Sequence, residues 1–199
     1  MSLKLIFIQL NEINFDLVKK YLLASKDNKY KNLEIIMNNF KTFHTFAESE
    51  YQNLEPWIQW ASFNLGKSYS DHKIFRLGDI VKFPSQKQIF EKIEERGFEV
   101  GAVSPMNTDN RLNNPSYFIA DPWTDTHSDN SSFSKRLSLM LKQTVNDNSS
   151  GNLSLNSILT ILEVIFKTLN LKKTLFLIKL IFSFFFKTWK KSLVLDYLI

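Results

Sequence analysis

The stretch Leu3-Lys-Leu-Ile-Phe-Ile-Gln-Leu10 leads directly into Asn11-Glu12 and decides how the fold is expected to begin. An almost continuous apolar run of this kind is typical of a strand that is covered on both faces of a parallel sheet. Ligands of open α/β sheets bind outside the carboxyl ends of such strands. Asn11 and Glu12 would lie at that end, where their oxygen atoms can hold a hard metal ion or polarise a water molecule. The structural alternative is that Glu12 is a loop acid that caps the following helix.

The pattern downstream alternates between helices and strands. Asn14 can cap a helix that continues to about Ala24. Ser85 can cap a later helix, which Gly97 ends. Other expected elements are a short helix around residues 33–37 and strands at residues 40–46, 98–103 and 117–120. Strand, helix and strand in this order predict an α/β fold with a mostly parallel sheet and crossover helices.

The character of the chain changes after residue 125, where a polar and turn-rich segment begins. A helix is expected at residues 133–145, followed by a loop and then by helical pattern at residues 153–191, broken near Asn170. We therefore divide the chain into an α/β lobe, residues 1–127, and a helical region, residues 128–199. One interpretation of the second region is a truncated insertion or cap.

Composition and charge narrow the class of protein. The chain has 199 residues, 44% of them hydrophobic, which suffices for one domain or one lobe of a larger one. Cysteine is absent, which excludes disulfides, thiol nucleophiles and thiolate zinc sites. The net charge is +5, and residues 165–199 hold seven lysines and one acid, so this tail carries +6 and the body −1. A nearly neutral body without a basic patch argues against a nucleic-acid partner.

Neither end of the chain has the pattern of a membrane-crossing or secretory segment. The first apolar run contains Lys4 and lacks a small-residue cleavage site, so no signal peptide is expected. The most apolar stretch, residues 174–186, contains Lys179 and is shorter than the roughly 20 residues that a spanning helix needs. We expect a cytoplasmic or membrane-associated protein. Residues 165–191 can form a helix at a membrane surface, or a partner-facing helix whose lysines reach solvent.

A helix with functional groups in its first turn is expected in Glu55-Pro-Trp-Ile-Gln-Trp-Ala-Ser-Phe-Asn-Leu-Gly66. Acidic residues and proline are both favourable at a helix N-terminus, which gives Glu55 a structural explanation. The functional interpretation is that this helix start lies at the edge of the sheet and binds an anion such as phosphate. Trp57 and Trp60 would then wall the pocket, and Gln59 would be a neutral hydrogen-bond donor.

The histidines and one aspartate motif give weaker signals. His44, His72 and His127 have no partner at metal-ligand spacing on a helix. For His72, which follows Asp71 in a turn, a role in a site and a simple loop hydrogen bond both remain open. The segment Asp121-Pro-Trp-Thr-Asp125 follows a strand end, where sites form, but it also begins as a common Asp-Pro turn. No phosphate-loop or dinucleotide-binding pattern is present.

The motifs together resemble the N-terminal half of the alkaline phosphatase-like superfamily, which includes phosphodiesterases, sulfatases and phosphoglycerol or phosphoethanolamine transferases. Residues 7–18 resemble its first strand, metal-binding turn and following helix. On this alignment Asn11 takes the place of the usual metal aspartate, and Glu12 is the adjacent acid. The resemblance covers about residues 3–125 and implies a divalent metal, either zinc, manganese, magnesium or calcium, at Asn11 and Glu12.

Residues 55–66 and 71–74 resemble the superfamily's nucleophile helix and the histidine-containing turn that follows it, with His72 at the histidine. The nucleophile itself falls at Pro56, which cannot attack a substrate, so Glu55 is the nearest reactive side chain. The superfamily's later metal ligands, an Asp-His pair and further histidines, have no counterpart in this sequence.

The resemblance implies a hydrolase- or transferase-like lobe related to metal-dependent enzymes that act on phosphate or sulfate esters, with glycan-linked or lipid-linked esters as the expected substrates. The lobe is expected to be incomplete and inactive alone. On this interpretation Glu55 is the catalytic candidate, Trp57, Gln59 and His72 bind substrate, and Glu12 and Glu55 converge at the sheet edge. The alternatives are a non-catalytic binding or scaffold relative and a membrane-surface protein.

Overall fold

The computed structural model describes residues 5–10, 13–24, 31–41, 43, 45–146, 154–168, 170 and 175. The described part is a mixed α/β fold with a small parallel sheet. Its elements, in chain order, are α1 (Phe15–Ala24), α2 (Lys31–Asn39), a 3-10 turn (Tyr51–Asn53), α3 (Pro56–Leu65), α4 (Tyr69–His72), a second 3-10 turn (Asp79–Lys82), α5 (Ile89–Glu94), β1 (Gly101–Val103), β2 (Tyr117–Ile119), α6 (Ser132–Asn146) and α7 (Leu155–Thr168).

Strands β1 and β2 pair in parallel, with Gly101 opposite Tyr117 and Val103 opposite Ile119. The ladder extends beyond both strands, because Ser116 N–H donates to the Val100 carbonyl and Ser104 N–H donates to the Ile119 carbonyl, each at 2.8 Å. The two strands expected in this part of the chain are therefore confirmed, although shorter. Parallel pairing brings both carboxyl ends, and the turns that follow them, to one edge of the sheet.

Apolar side chains form the core in three patches around this sheet. One lies beneath the sheet and is covered by α5: Val100, Ala102, Leu112, Phe118 and Ala120, with Phe90 and Ile93. A second joins α3 to the segment after α4: Ala61, Leu65, Ile74 and Ile80, with Val81 and Phe83. A third packs α6 and α7 against β2: Ile119, Met140 and Leu141, with Leu137 and Ile161. Helix α6 therefore rests on the same strand whose end leads into the 121–125 segment.

Helix ends follow local signals where no tertiary contact competes with them. The Asn14 side chain accepts the Leu17 N–H at 2.9 Å, which confirms the expected cap of α1. The expected cap at Ser85 is wrong, because α5 begins after Gln88. The Gln88 side chain bonds both the carbonyl and the N–H of Asp109, at 2.8 and 3.0 Å. These bonds to the turn after β1, together with the bond from Gln88 N–H to the Glu91 carboxylate at 2.9 Å, set the start of α5.

Two expected strands are not present in the described residues. Residues 5–10 lie along α3 without strand pairing, and Leu5 and Ile6 are 78% and 85% exposed. This segment is held by side chains, because the Phe7 ring stacks on Phe63 at 5.2 Å and Gln9 bonds Asn64. The described residues between 40 and 46 also form no strand. An apolar run does not specify a neighbouring strand, which explains both errors.

Helices α6 and α7 confirm the helical region up to residue 168, and the expected continuation to residue 191 lies outside the described residues except for residue 175. The pair is joined by Arg136, which bonds Glu163 at 2.5 Å. Leu155, Leu159 and Phe166 of α7 remain exposed. Within the described ranges, the helices are too short or too polar to cross a membrane.

Candidate functional site

Asn107 joins three separate segments at the carboxyl end of the sheet. Its Oδ1 accepts the Gly78 N–H at 3.0 Å, and its Nδ2 donates to the carbonyls of Trp57 and Arg76, at 2.9 and 3.4 Å. The side chain is fully buried, and its backbone has a φ of 49°. Asparagine tolerates this left-handed conformation better than most residues. The first turn of α3 is thereby fixed beside the turn that follows β1.

The turn after β2 reaches the same place. Gly78 lies so close to it that a Cβ there would stand 2.9 Å from the Trp123 carbonyl oxygen. The φ of Gly78 is 81°, which glycine adopts without strain. The start of α3, the segment around Gly78 and the turns after β1 and β2 consequently form one continuous edge, which we call the carboxyl edge.

The N-terminal segment also reaches the carboxyl edge, through α3. Gln9 Nε2 donates to Asn64 Oδ1 at 3.1 Å, and Asn64 Nδ2 donates to Thr108 Oγ1 at 3.0 Å. Asn64 and Thr108 are both buried. Asn11 and Glu12 lie outside the described residues, so their expected convergence with Glu55 remains a prediction.

Glu55, Trp57 and Gln59 lie at the start of α3 as the sequence predicts. Glu55 is the N-cap residue, but its exposed side chain makes no capping bond to the helix. Trp57 is half-buried, and its carbonyl is the one that Asn107 holds. Gln59 Nε2 donates to the Asn53 carbonyl at 2.7 Å, so it fastens the preceding 3-10 turn to α3. Proline at the first helical position completes a regular helix start.

His72 is fully buried, and both of its ring nitrogens are occupied. Nδ1 accepts the Ile74 N–H at 2.9 Å, and Nε2 lies 2.9 Å from Ser62 Oγ. Because Nδ1 is an acceptor, the neutral ring carries its proton on Nε2 and donates it to Ser62. Burial lowers the pKa of His72, which outweighs the opposite influence of the carboxylates of Glu48 and Asp71.

The Ser62–His72 pair has the residue types of a nucleophile and its base, but the hydrogen bond runs in the wrong direction for that chemistry. A general base must accept the serine proton, and a ring that already donates from Nε2 cannot do so. In this conformation His72 positions Ser62 and the 72–74 turn. Its expected role in substrate binding remains a prediction, and the ring has no free nitrogen here.

Two buried oxygen atoms at the carboxyl edge lack a partner among the described residues. Asp121 Oδ1 accepts the N–H groups of Trp123 and Thr124, at 2.8 and 2.9 Å. Asp121 Oδ2 and Thr124 Oγ1 have no hydrogen-bond partner, although both residues are fully buried. An oxygen pair of this kind fits a hard cation. The described residues contain no group of three or more acidic, histidine or cysteine side chains arranged around a metal.

Arg111 is a polar anchor that the sequence did not reveal. Its guanidinium donates to the carbonyls of Ile80 and Gln86, each at 2.9 Å, and to the Asp109 carboxylate at 2.8 Å. It thus binds the segment after α4 to the turn after β1. Nothing local in the sequence marks this role, because the carbonyls come from residues far along the chain.

A polar surface cleft lies away from the carboxyl edge, between the 110–116 and 127–131 segments. His127 lines it and is exposed. Asp129, also in its lining, stays ionised more readily than usual: burial raises its pKa, but hydrogen bonds from Ser134, Ser131 and Phe118 lower the pKa by more. His127 lies in an exposed loop here, and His44 lies outside the described residues.

Comparisons of this chain with protein-family models, with curated proteins and with solved structures found no match. The fold and the carboxyl edge are therefore the basis for a functional proposal.

Proposed function

We propose that this chain is an α/β lobe of the alkaline phosphatase-like class, which binds phosphate or sulfate esters at the carboxyl edge together with a divalent metal ion. We also propose that β1 and β2 are part of a larger, mostly parallel sheet with crossover helices. The substrates would be esters carried by a glycan or a lipid. The lobe would not turn them over by itself.

The observation that carries the proposal is the Asn107 junction. It places the start of α3 beside the ends of two parallel strands. Sites of α/β proteins form on this side of the sheet, and the N-terminus of a helix there favours an anionic group. The sequence motifs at the start of α3 and the geometry around Asn107 therefore support the same location.

Each candidate side chain has a distinct part in this proposal. Trp57 would supply an apolar wall, and Gln59 a neutral amide near the anion. Glu55 carries a negative charge at the same helix start, which would repel an ester unless a cation lay between them. A divalent ion supplies that charge compensation when it is bound. Asn11 and Glu12 are the proposed ligands on the N-terminal side.

Two features support binding rather than turnover. Pro56 stands where the class has its nucleophile, and proline has no group that can attack. The Ser62–His72 pair is not arranged for proton abstraction either, because His72 donates to Ser62. The alternative of a non-catalytic binding or scaffold relative rests on these same two features.

The test measures ester binding and turnover on one preparation. We expect nitrophenyl phosphate, bis-nitrophenyl phosphate and nitrophenyl sulfate to remain unhydrolysed with zinc, manganese, magnesium or calcium. Isothermal titration with the same esters should detect binding that needs the metal and weakens about fivefold or more in Trp57→Ala, roughly 1 kcal/mol.

Glu50→Ala is the matched control for Glu55→Ala, because both acids are exposed N-cap residues of neighbouring helical turns. Of these two variants, Glu55→Ala should weaken ester binding and Glu50→Ala should not. Ester binding that is absent in the wild type, or that Glu55→Ala and Trp57→Ala leave unchanged, would refute the proposal. Turnover that Glu55→Ala abolishes would instead make the lobe an enzyme.

A further inference from the structure

We propose that Asp121 and Thr124 form a buried site for a hard divalent cation, directly after β2. The resemblance to the alkaline phosphatase-like superfamily does not make either residue a metal ligand. A cation site here goes beyond ester binding at the carboxyl edge. It rests on the two unpartnered oxygen atoms, Asp121 Oδ2 and Thr124 Oγ1.

The buried carboxylate of Asp121 lacks a compensating charge among the described residues. Both carboxylate oxygens belong to a fully buried side chain, and only Oδ1 is hydrogen-bonded. The described residues provide no ion pair for this carboxylate. Buried charges in proteins are paired with an opposite charge or coordinate a metal, because an uncompensated charge is strongly destabilising.

Thr124 supplies a second oxygen atom in the same turn. Its hydroxyl is also buried and unpartnered, and its N–H is bonded to Asp121 Oδ1, so both residues belong to one short turn. Because the two groups lie three residues apart in one turn, we assign them one shared partner. A cation accepts electron pairs from a carboxylate and from a hydroxyl oxygen, and so it satisfies both at once.

The donor atoms indicate the kind of cation. Both donors are oxygen atoms, and no nitrogen or sulfur ligand accompanies them in the turn. Oxygen donors select hard ions such as Mg²⁺ and Ca²⁺ over softer transition metals. Mg²⁺ in particular keeps several waters and needs only one or two carboxylates from the protein. A site with a single carboxylate therefore fits a hard divalent ion.

The experiment compares the full chain with three variants. Asp121→Asn removes the charge but keeps a carbonyl oxygen for the two N–H groups. Thr124→Val removes the hydroxyl and keeps the shape. Asp125→Asn is the matched control, because it removes an acid whose side chain is 100% exposed in the same segment. Thermal unfolding is followed with MgCl₂ or CaCl₂ and with NaCl at equal ionic strength, and no ester is present.

We expect Mg²⁺ or Ca²⁺ to raise the Tm of the wild type and of Asp125→Asn by on the order of 5 °C at a hundredfold excess over Kd. Asp121→Asn should show a clearly smaller rise than Asp125→Asn, because it keeps the proposed ligands Asn11 and Glu12 and loses only this site. Thr124→Val should bind the ion at least about tenfold more weakly. If Asp121→Asn does not fold, Thr124→Val and the luminescence of Tb³⁺, excited through the neighbouring Trp123, give the same comparison.

The proposal is overturned if divalent ions leave the Tm of the wild type unchanged. It is also overturned if Asp121→Asn and Thr124→Val respond to the ions as the wild type does, because the ion would then bind elsewhere. Since no ester is used, failure here is distinct from failure of ester binding at the start of α3.

Discussion

Removing the Asn107 side chain should destabilise the protein more than any exposed polar substitution, because three segments depend on it. Asn107→Ala loses well-formed hydrogen bonds to Gly78 and Trp57 and a longer one to Arg76. The Trp57 carbonyl lies within α3 and the Arg76 carbonyl also accepts the Asp79 N–H, so the group left without an alternative is the Gly78 N–H. The damage should therefore concentrate at Gly78.

The magnitude follows from three contributions. Each good hydrogen bond contributes about 1 kcal/mol net, and a buried donor without a partner costs about 1–3 kcal/mol. Alanine at the φ of 49° adds about 1 kcal/mol of backbone strain. We expect Asn107→Ala to lower the free energy of unfolding by about 3–5 kcal/mol, and Asn107→Gly to recover about 1 kcal/mol of this, since glycine removes the strain alone.

Urea unfolding followed by circular dichroism measures both values, with Asn114→Ala as the control. Asn114 lies in the same connection between β1 and β2 but is exposed. The control should stay within about 0.5 kcal/mol of the wild type. If Asn107→Ala does the same, the junction does not hold the edge together and the reasoning fails.

Three further predictions address other parts of the molecule. Because burial lowers the pKa of His72, the unfolded chain binds a proton at this histidine more readily than the folded chain does. Stability should therefore fall as the pH drops below the ordinary histidine pKa of about 6.5, by at most about 1.4 kcal/mol per pH unit. In urea titrations between pH 7 and 5, His72→Gln should remove this slope, and His127→Gln should not. Arg111→Met should cost about 2–4 kcal/mol of unfolding free energy, because Asp109 Oδ2 and the Gln86 carbonyl lose their guanidinium donor. A loss below about 1 kcal/mol would mean that water replaces the guanidinium. The exposed apolar side chains of α7, together with the basic tail, should make the protein sediment with anionic vesicles at low salt, and high salt should release it; a soluble monomer that ignores the vesicles would remove the support for membrane contact.

Local patterns predicted those elements whose signals lie within a few residues. The strand after Gly97, the cap at Asn14 and the helix start at Pro56 each depend on a neighbouring residue. The prediction of a strand at residues 5–10 was wrong, because an apolar run forms a strand only where another strand pairs with it. Here the segment contacts side chains of α3 instead. The start of α5 was wrong for a related reason, since Asp109 holds Gln88 from a distance.

Some residues of the candidate site could be placed from local sequence, and others could not. Glu55, Trp57 and Gln59 could be placed at a helix start from sequence, because that start is local. The burial of His72 could not be predicted, since Asp71-His72-Lys73 has the composition of a surface turn. Asn107 could not be ranked above other asparagines, because its partners come from two distant parts of the chain, Trp57 and the 76–78 segment. Its place in the turn that follows β1 was the available signal, since asparagine favours left-handed turns.

The most direct test of the central claim is to map where an ester binds. Amide chemical shifts of ¹⁵N-labelled protein would be recorded with Mg²⁺ while phenyl phosphate is added. We expect the changes to cluster at the start of α3, around Gly78, and in the turns that contain Asn107 and Asp121. Changes confined to the polar cleft at residues 110–116 and 127–131, or no change at any ester concentration, would contradict it.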